Sequence, residues 1–470
     1  MLTRRKLLGN SLKLSAGFAL SAGAFADADV TITLKLRDEN AVRVPTNFPG
    51  FGYEMSSVAR LGLLSALNSR YVNLIRGIGN AGVLRVGGIV ADYTRYDSNG
   101  TIIAERQNTV ITHEGLEQFA AFLGRIGWTA IWSVNFAQGT VQDAVAEVRA
   151  VSAMLGVRLE AIEIGNEVEN YGRGEKPFRK APYEYETYRK EYKEWHAAIA
   201  SAVPNIRFAA PDTATSVEWV EHMAHDAKGD VQLLTTHYYR NGQKRGSADQ
   251  LLFPDPRLKD ILVRLRTASK ESGIPWRMCE TNSFSGGGLP GVSNSFVGAL
   301  WTLDFMLLLA GYGCAGVNIE TGINQLGFIS SYSPIQDDGK GLNTAGVPYY
   351  GMIAFASAIS GCDEVLPVDV DTQGANITAY VLGTGGKSRS VAIVNRDATR
   401  DGTVSIRQLG MANASILRLS SPAADSTVGV TFGGASVDQD GVWKAETREL
   451  CQSGIVPVPH MSAAILRATP

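Results

Sequence analysis

The feature that most constrains the fold is a repeated alternation, over residues 46–360, of short apolar runs with longer amphipathic stretches. The short runs are typical of buried strands, and the longer stretches have the spacing of amphipathic helices. Strands that alternate with helices indicate β/α units and a parallel sheet. Eight candidate strands can be identified, at 50–53, 82–86, 129–134, 159–164, 207–210, 231–236, 276–279 and 316–319. Eight units predict an α/β fold, a (β/α)8 TIM barrel, for residues 46–360.

A second domain is predicted for residues 361–470. Its short alternating runs are separated by Gly, Asp and Asn turns, which is typical of antiparallel strands. They occur at 368–371, 377–382, 390–394, 402–406, 414–419 and 463–466. This regular spacing predicts an accessory antiparallel β-sandwich. The alternating strand at 30–36, within residues 27–45, has no partner in the barrel pattern, and we expect it to join the sandwich.

The first 26 residues have the features of an export signal. Arg4 and Arg5 form a twin arginine, a short apolar stretch follows at 14–25, and residues 24–26 read Ala-Phe-Ala, a cleavage pattern. A membrane span needs about 20 apolar residues, whereas this stretch has 12. The sequence therefore predicts a bacterial twin-arginine signal peptide and export to the periplasm or the cell exterior.

Charge excludes some classes of partner. The chain carries 44 Lys and Arg residues against 46 Asp and Glu, a formal charge of −2. Such a balance provides no bulk field that would attract a nucleic acid or an anionic membrane, and neither is expected as a partner. The sequence gives no indication of an oligomer.

The spacing of cysteine and histidine predicts no metal site. His222 and His225 form the one close histidine pair, and they have no acidic or cysteine companion in a known ligand arrangement. The even number of cysteines leaves the disulfide pairing open; they are Cys279, Cys314, Cys362 and Cys451. No cofactor is expected.

Two glutamates stand where a barrel carries its working residues, at the carboxyl ends of strands. Glu167 follows the predicted fourth strand and Glu280 the seventh, so the two carboxyls would face each other across the barrel mouth. Carboxyls about 5–5.5 Å apart are typical of a retaining glycosidase. Glu167 would then be the proton donor and Glu280 the nucleophile. We expect Tyr238 to donate a hydrogen bond to Glu280, and Asn166 to bind the sugar 2-hydroxyl.

Several motifs together resemble glycoside hydrolase family 79, which contains β-glucuronidases and heparanases. They are LRVGG at 84–88, IGNE at 164–167, HYY at 237–239, ETNS at 280–283 followed by GGG at 286–288, and VSNSF at 292–296 leading into ALWTLD at 299–304. The resemblance extends over essentially the whole chain after the predicted signal. It implies Glu167 as acid/base, Glu280 as nucleophile and Tyr238 as the tyrosine beside the nucleophile.

The resemblance also implies a site for the carboxylate of a uronic acid. The backbone N–H groups of Gly286 and Gly287 can form an anion-binding concavity, and Tyr332 resembles the family's carboxylate-binding tyrosine. Glu54, after the first strand, stands where an acidic residue holds sugar hydroxyls. Members of the family often place a polar residue after the Gly-Gly of strand 2, where this chain has Ile89, and Asp92 is the candidate substitute.

The function predicted from these residues is the hydrolysis, with retention, of β-D-glucuronosyl linkages in a glycoside, oligosaccharide or polysaccharide that contains glucuronic acid. Exo cleavage is favoured, and endo cleavage of heparan sulfate-type chains is the alternative. A neutral-sugar glycosidase and a non-catalytic carbohydrate-binding protein remain further alternatives. Two basic clusters bear on the endo alternative because they could bind sulfates; they are Arg173, Lys176, Arg179 and Lys180, and Arg240, Lys244 and Arg245.

Overall fold

The computed structural model describes residues 29–322, 330–337, 342–411 and 413–469. The predicted signal, residues 1–26, lies outside the described residues. The strands are β1 Val30–Leu36, β2 Val42–Arg43, β3 Pro49–Glu54, β4 Val83–Gly87, β5 Thr94–Tyr96, β6 Ile103–Glu105, β7 Asn108–Ile111, β8 Thr129–Val134, β9 Leu159–Ile164, β10 Phe208–Thr213, β11 Leu233–Gly242, β12 Trp276–Ser285, β13 Val317–Glu320, β14 Ile335–Asp337, β15 Asn343–Ala345, β16 Glu364–Leu366, β17 Val368–Asp371, β18 Ile377–Thr384, β19 Lys387–Asn395, β20 Gly402–Ser405, β21 Ala414–Ser420, β22 Thr431–Phe432, β23 Glu449–Cys451, β24 Ile455–Val458 and β25 Ser462–Ala468.

The helices alternate with the strands through the first two thirds of the described chain. They are α1 Ser56–Ala59, α2 Ser69–Ile78, α3 His113–Ile126, α4 Val141–Leu155, α5 Tyr185–Ala202, α6 Val217–Asp226, α7 Ala248–Leu252, α8 Pro256–Ser272, α9 Phe296–Gly311 and α10 Val347–Ile359. Short 3₁₀ helices occur at Ile89–Tyr93, Gly156–Arg158, Val168–Asn170, Gln243–Arg245 and Arg407–Leu409.

Eight strands close into a barrel, and the predicted fold class is confirmed. In chain order the barrel strands are β3, β4, β8, β9, β10, β11, β12 and β13, each parallel to its neighbours, with β13 pairing back to β3. Each of the eight predicted strands overlaps one of them. Every residue of β4 and of β10 is buried, because a barrel strand packs against helices outside and side chains inside.

Local signals fix where the barrel helices begin and end. The Thr112 hydroxyl accepts from Gly115 N at the start of α3, and Gly127 ends that helix in the left-handed conformation. Thr140 and Asp143 form a capping box at the start of α4. These caps set the length of each β/α unit and so place the strand ends on one face of the barrel.

An insertion after the second barrel strand builds part of the catalytic face. Strands β5, β6 and β7 form a separate three-stranded sheet in the order β5-β7-β6. The turn between β6 and β7 contains Arg106, an exposed residue. The sequence analysis did not predict this sheet, because its strands are only three or four residues long.

Strands β14 and β15 pair in a two-stranded sheet, and the other strands form two facing sheets. The larger has the order β2-β16-β18-β19-β25-β21-β22, with β23 also paired to β21, and the smaller has the order β17-β1-β20-β24. The strand predicted at 30–36 is β1, which pairs antiparallel with β17 and parallel with β20. A cluster of buried residues fills the space between the sheets, among them Ile32, Val381 and Val456.

The barrel and the sandwich share one hydrophobic core. Helices α9 and α10 are buried on nearly all sides, and both pack against strands of the larger sheet. Phe305 of α9, Phe355 of α10 and Ile465 of β25 belong to the same buried cluster. Within the described ranges, no helix is both long enough and apolar enough to cross a membrane.

Candidate active site

A pocket of about 310 Å³ opens at the carboxyl ends of the barrel strands. Its lining comes from six of the eight strands or the loops after them. The lining residues are Glu54, Ile89, Arg106, Asn166, Glu167, Tyr239, Glu280, Ser285, Gly286, Gly287, Glu320, Gly322, Ser330 and Tyr332.

Two hydrogen bonds hold the carboxylate of Glu280. Arg85 Nη1 donates to one of its oxygens at 2.9 Å, and the hydroxyl of Tyr239 donates to the other at 2.8 Å. The side chain of Glu280 is 13% exposed. These two hydrogen bonds orient the carboxyl of Glu280 at the pocket.

Glu167 stands opposite and is more open. Its side chain is 33% exposed, and one oxygen lies 3.3 Å from Nδ1 of His237. One carboxylate oxygen of Glu167, one carboxylate oxygen of Glu280 and one ring nitrogen of His237 lie within 4.8 Å of one another. Glu167 has a backbone φ of 49°, in the left-handed region that a glutamate rarely adopts. Strained residues of this kind are concentrated at functional sites.

Arg85 organises the floor beneath the two glutamates. This guanidinium is fully buried and donates to Glu163, Asn166 and Asp212 as well as to Glu280. Burial raises the pKa of Glu163 to about 7, with the charge of Asp212 adding to the rise. Burial opposes ionisation of Asp212 too, but Arg85 and then His237 outweigh it and lower its pKa.

His237 bridges Asp212 and the pocket. Its Nε2 lies 2.9 Å from Asp212 Oδ1. Burial alone would lower the pKa of His237, but the charges of Asp212 and Glu280 outweigh burial and raise the pKa well above its usual value. When protonated, His237 can donate from both ring nitrogens, to Asp212 on one side and towards Glu167 on the other.

Two sets of side chains bring three potential metal ligands together. One is Glu167, His237 and Glu280, and the other is Glu163, Asp212 and Cys279. Protein cations contact the carboxylates of both sets, because Arg85 bonds Glu163, Asp212 and Glu280 while His237 bonds Asp212. The four cysteines, which lie within the described residues, are free thiols, and this answers the disulfide question that the sequence left open.

The prediction for Tyr238 is wrong. Its hydroxyl donates to Asp255 at 2.9 Å and its ring stacks on Phe305, so this side chain lies on the outer, helix-facing side of the barrel. Successive side chains of a strand point to opposite faces. The inward residues of β11 are therefore His237 and Tyr239, and Tyr239 makes the hydrogen bond to Glu280.

The structure does not bring Asp92 into the pocket, so the predicted sugar contact is also wrong. Asp92 is 2% exposed, and its carboxyl accepts from the hydroxyl of Tyr171 at 2.5 Å. Burial raises the pKa of Asp92 well above its usual value. The 3₁₀ helix after strand 2 turns Ile89 towards the pocket instead and points Asp92 into the barrel wall.

The other predicted residues do meet in the pocket. Asn166 lies beside Glu167, and its Oδ1 accepts from Arg85 Nη2 at 2.8 Å. Glu54 accepts from Val90 N at 2.9 Å; burial, followed by the charge of Glu280, raises the pKa of Glu54 to about 8. Gly88, at φ 68°, leaves the space that the carboxyl of Glu54 occupies.

Gly286, Gly287 and Tyr332 form one wall of the pocket. Both glycines have positive φ, at 83° and 93°, and their N–H groups make no hydrogen bond to any other residue that the structure describes. Tyr332 N and the Ser331 hydroxyl donate to the carbonyl of Gly287, at 3.4 and 3.0 Å. This pairing fixes the glycine turn against the segment after strand 8, with two free backbone donors beside a phenol.

Sequence reasoning missed Arg85, Tyr239, Arg106 and Glu320. A signal existed for Arg85, because a charged residue in the middle of the apolar strand β4 must have a buried partner, and Glu163 is a charged residue in the apolar strand β9. Predicting the role of Tyr239 requires knowing which side chains of β11 point into the barrel. Arg106 reaches the pocket from a short hairpin that local sequence patterns do not reveal.

Two of the seven residues in the basic clusters are engaged within the fold, and the other five are exposed. Arg179 donates to Glu191 and to the carbonyls of Phe136 and Ala137. Arg240 forms an ion pair with Asp255. These two arginines therefore act within the fold, which removes part of the support for binding a long sulfated chain.

Comparison with known proteins agrees with this geometry. No protein-family model matches the chain. The chain is 25% identical to a β-glucuronidase of Aspergillus niger over 98% of both sequences, and 26% identical to a β-glucuronidase of Neurospora crassa over 61% of this chain and 58% of that one. The chain is a relative of the β-glucuronidases. The resemblance inferred from its motifs is confirmed at that level.

Solved structures support the same fold. A 4-O-α-L-rhamnosyl-β-D-glucuronidase from Fusarium oxysporum, in complex with Rha-GlcA, superposes with a TM-score of 0.76 at 16% identity, covering 94% of this chain and all of that one. An arabinofuranosidase from Xanthomonas axonopodis superposes with a TM-score of 0.66 at 15% identity and the same coverage. At these identities the likeness concerns the fold.

Proposed function

We propose that this β-glucuronidase relative is a retaining glycoside hydrolase that cleaves β-D-glucuronosyl linkages. The observation that carries the proposal is the placing of Glu167 and Glu280 within 4.8 Å, at the ends of barrel strands 4 and 7. One oxygen of each carboxyl lies within 4.8 Å of the other, which agrees with the spacing of about 5–5.5 Å in retaining enzymes and is shorter than the roughly 6.5–9.5 Å of inverting ones, and so favours the double-displacement mechanism.

The surroundings of the two glutamates assign their roles. Glu280 accepts hydrogen bonds from Arg85 and Tyr239 and attacks the anomeric carbon as a carboxylate. The more exposed Glu167 gives its proton to the leaving oxygen. The covalent glycosyl-enzyme is then hydrolysed by a water that Glu167 deprotonates, and the configuration is retained. Asn166, fixed by Arg85, is positioned for the sugar 2-hydroxyl.

The wall formed by Gly286, Gly287 and Tyr332 supports an acidic sugar as substrate. Its two free backbone N–H groups and the phenol can hold a carboxylate without a mobile cation. The β-glucuronidase relatives point to the same substrate class. We favour exo cleavage, with endo cleavage of heparan sulfate-type chains as the alternative.

The first test is turnover of 4-nitrophenyl β-D-glucuronide beside 4-nitrophenyl β-D-xyloside. We expect the glucuronide to be preferred by at least 100-fold in kcat/KM. We also expect Glu280→Gln to lower kcat by roughly 10⁴-fold or more, since one catalytic group supplies several kcal/mol of barrier lowering. Preference for the xyloside would favour a neutral-sugar glycosidase, and glycan binding with unchanged turnover in Glu280→Gln would favour a binding protein.

The second test separates exo from endo cleavage. The purified enzyme is incubated with heparan sulfate and with an oligosaccharide capped by glucuronic acid, and the products are sized by mass spectrometry. Exo action releases glucuronic acid alone, and its first-formed anomer is β when observed by NMR. Oligosaccharide fragments from heparan sulfate would establish endo action instead.

We also propose that the protein acts outside the cytoplasm. The support is the twin arginine at Arg4 and Arg5 and the cleavage pattern at residues 24–26. Replacing both arginines with lysine should retain the protein inside an expressing bacterium, as a cell fractionation would measure. Unchanged export of that variant would contradict the proposal.

A further inference from the structure

One carboxyl group in the pocket has no role in the mechanism above. Glu320 ends the eighth barrel strand, β13, and lines the pocket although its residue is only 4% exposed. Its backbone carbonyl accepts from Asn282 Nδ2 at 2.9 Å. Its carboxyl makes no hydrogen bond to any residue that the structure describes, and Oε2 is fully buried without a partner.

A buried carboxyl group without a hydrogen-bond partner is unusual. Buried polar atoms almost always have a hydrogen-bond partner, and leaving one without costs roughly 1–3 kcal/mol. The fold nevertheless makes room for this carboxyl, because Gly52, opposite Glu320 in the strand pairing, has no side chain and a Cβ there would collide with Oε2. Oε2 lies against Gly52, whereas Oε1 has no partner among the described residues and is not fully buried, so a ligand in the pocket can supply the partner of this carboxyl.

On the basis of the proposed function, we propose that Glu320 is a specificity-determining residue whose carboxyl hydrogen-bonds directly to the carboxylate of the bound uronic acid. Tyr332, the phenol of the predicted carboxylate wall, lines the same pocket as Glu320. A neutral carboxylic acid donates one O–H hydrogen bond to a carboxylate, and such charge-assisted bonds are about twice as strong as neutral ones.

The protonation state of Glu320 follows from the groups that face it. They are Tyr53 and Glu54 on strand 1, Arg85 on strand 2, His237 and Tyr239 on strand 6, Glu280 on strand 7 and Tyr332 after strand 8. Burial first, and then the charges of Glu280 and Glu54, raise the pKa of Glu320 well above its usual value, while Arg85 and His237 oppose the rise. The raised pKa favours the neutral acid of Glu320, as the raised pKa of Glu54 favours that of Glu54.

This arrangement explains how a pocket with four glutamates can take an acidic sugar. Four of the five N–H groups of Arg85 are used by Glu163, Glu280, Asn166 and Asp212, and the guanidinium is fully buried. Arg106 stands at the exposed rim. A donor without positive charge at the base of the pocket would add to the backbone N–H groups of Gly286 and Gly287 and the phenol of Tyr332.

The test compares Glu320→Ala with Glu320→Gln, because the amide of glutamine keeps the size and one donor of a neutral glutamic acid. We expect Glu320→Ala to raise both KM for 4-nitrophenyl β-D-glucuronide and the inhibition constant of D-glucuronate by about 10- to 100-fold, with kcat within about fivefold. Glu320→Gln should restore both constants to within about threefold. Thermal unfolding of each variant shows whether it is folded.

A pH series gives a second measurement that does not depend on the alanine variant folding. In the wild type, affinity for D-glucuronate should fall as the pH rises through the pKa of Glu320, because the donated proton is lost. In Glu320→Gln this fall should be absent or much reduced. Unchanged constants in Glu320→Ala, or equal alkaline loss in the wild type and Glu320→Gln, would overturn the proposal while leaving glucuronide hydrolysis established. A wild type without glucuronide turnover would overturn both.

Discussion

Two adjacent tyrosines on β11 have opposite surroundings and provide a matched pair for mutation. Tyr239 donates to the catalytic carboxylate of Glu280, whereas Tyr238 donates to Asp255 on the far side of the strand. Tyr239→Phe removes a donor that stabilises Glu280 and should lower kcat for an aryl glucuronide by about 10- to 100-fold, equivalent to roughly 1.4–2.7 kcal/mol. Tyr238→Phe should leave kcat within about threefold. Steady-state kinetics of both variants measures the difference, and equal losses would contradict it.

For single residues, the sequence does not show which side chains of a strand point into the barrel. Glu167, Glu280, Asn166 and Glu54 were predictable because each directly follows an apolar strand. Choosing between Tyr238 and Tyr239 required knowing which face of β11 points inward, and the pairing of β11 with β12 shifts register between Thr236 and His237. A register shift changes which residues share a face of the sheet. No local sequence pattern indicates such a shift.

The glycine turn after β12 offers a prediction about a single structural element. Gly288 has φ 81°, and a Cβ there would lie 2.8 Å from Tyr332 N and from Ser331 Oγ. Gly288→Ala should therefore displace the Tyr332 segment and raise KM for the glucuronide by at least tenfold. Gly291 has φ 80° but nothing within 4 Å of the added carbon. Gly291→Ala carries the same backbone strain, about 1–2 kcal/mol, and should leave KM within about twofold.

Elements were predictable where they repeat a long pattern. The barrel strands and helices follow their periodicity, and helix α8 has the bounds that the sequence indicates, because Asp255 caps its start and Gly273 its end. The sheet of β5, β6 and β7 was not predictable, since strands of three or four residues are stabilised by what they pack against and not by their own pattern. That sheet carries Arg106 to the rim of the pocket.

At the scale of the whole molecule, one buried carboxyl group makes the free energy of unfolding depend on pH. Glu147 is 4% exposed and accepts from Trp132 Nε1 at 2.7 Å, and burial raises its pKa to about 7. The folded state thus keeps a proton that the unfolded chain releases near the ordinary pKa of about 4.3. This contribution to stability is complete below that pKa and is lost as the pH rises towards 7.

Glu147→Gln should remove this dependence, because its amide oxygen still accepts from Trp132 and does not titrate. Between pH 4.5 and 8 the wild type should lose roughly 2–3 kcal/mol more unfolding free energy than the variant. Urea unfolding at both pH values measures the difference. Parallel curves for the two proteins would show that Glu147 is not the group responsible.

The contacts between the barrel and the sandwich determine whether the two domains unfold together. Asp304 of α9 accepts from Thr378 Oγ1 at 2.5 Å and from the Tyr380 hydroxyl at 2.8 Å, and it pairs with Arg396 at 3.1 Å. Arg396 is 4% exposed, so Asp304→Ala would leave its charge buried without this partner, a change that costs about 3–5 kcal/mol. Thr378→Val removes one neutral donor and should cost only about 1 kcal/mol.

Because one buried cluster runs from barrel helices into the larger sheet, we expect Asp304→Ala to lower the melting temperature of the whole molecule in a single transition. Calorimetry combined with residual glucuronide hydrolysis along the same temperature ramp distinguishes the cases. Activity and the heat-absorption peak should be lost together. A sandwich that melts first while hydrolysis persists would mean that the barrel is stable without it, and that the ion pair joins two independently folding units.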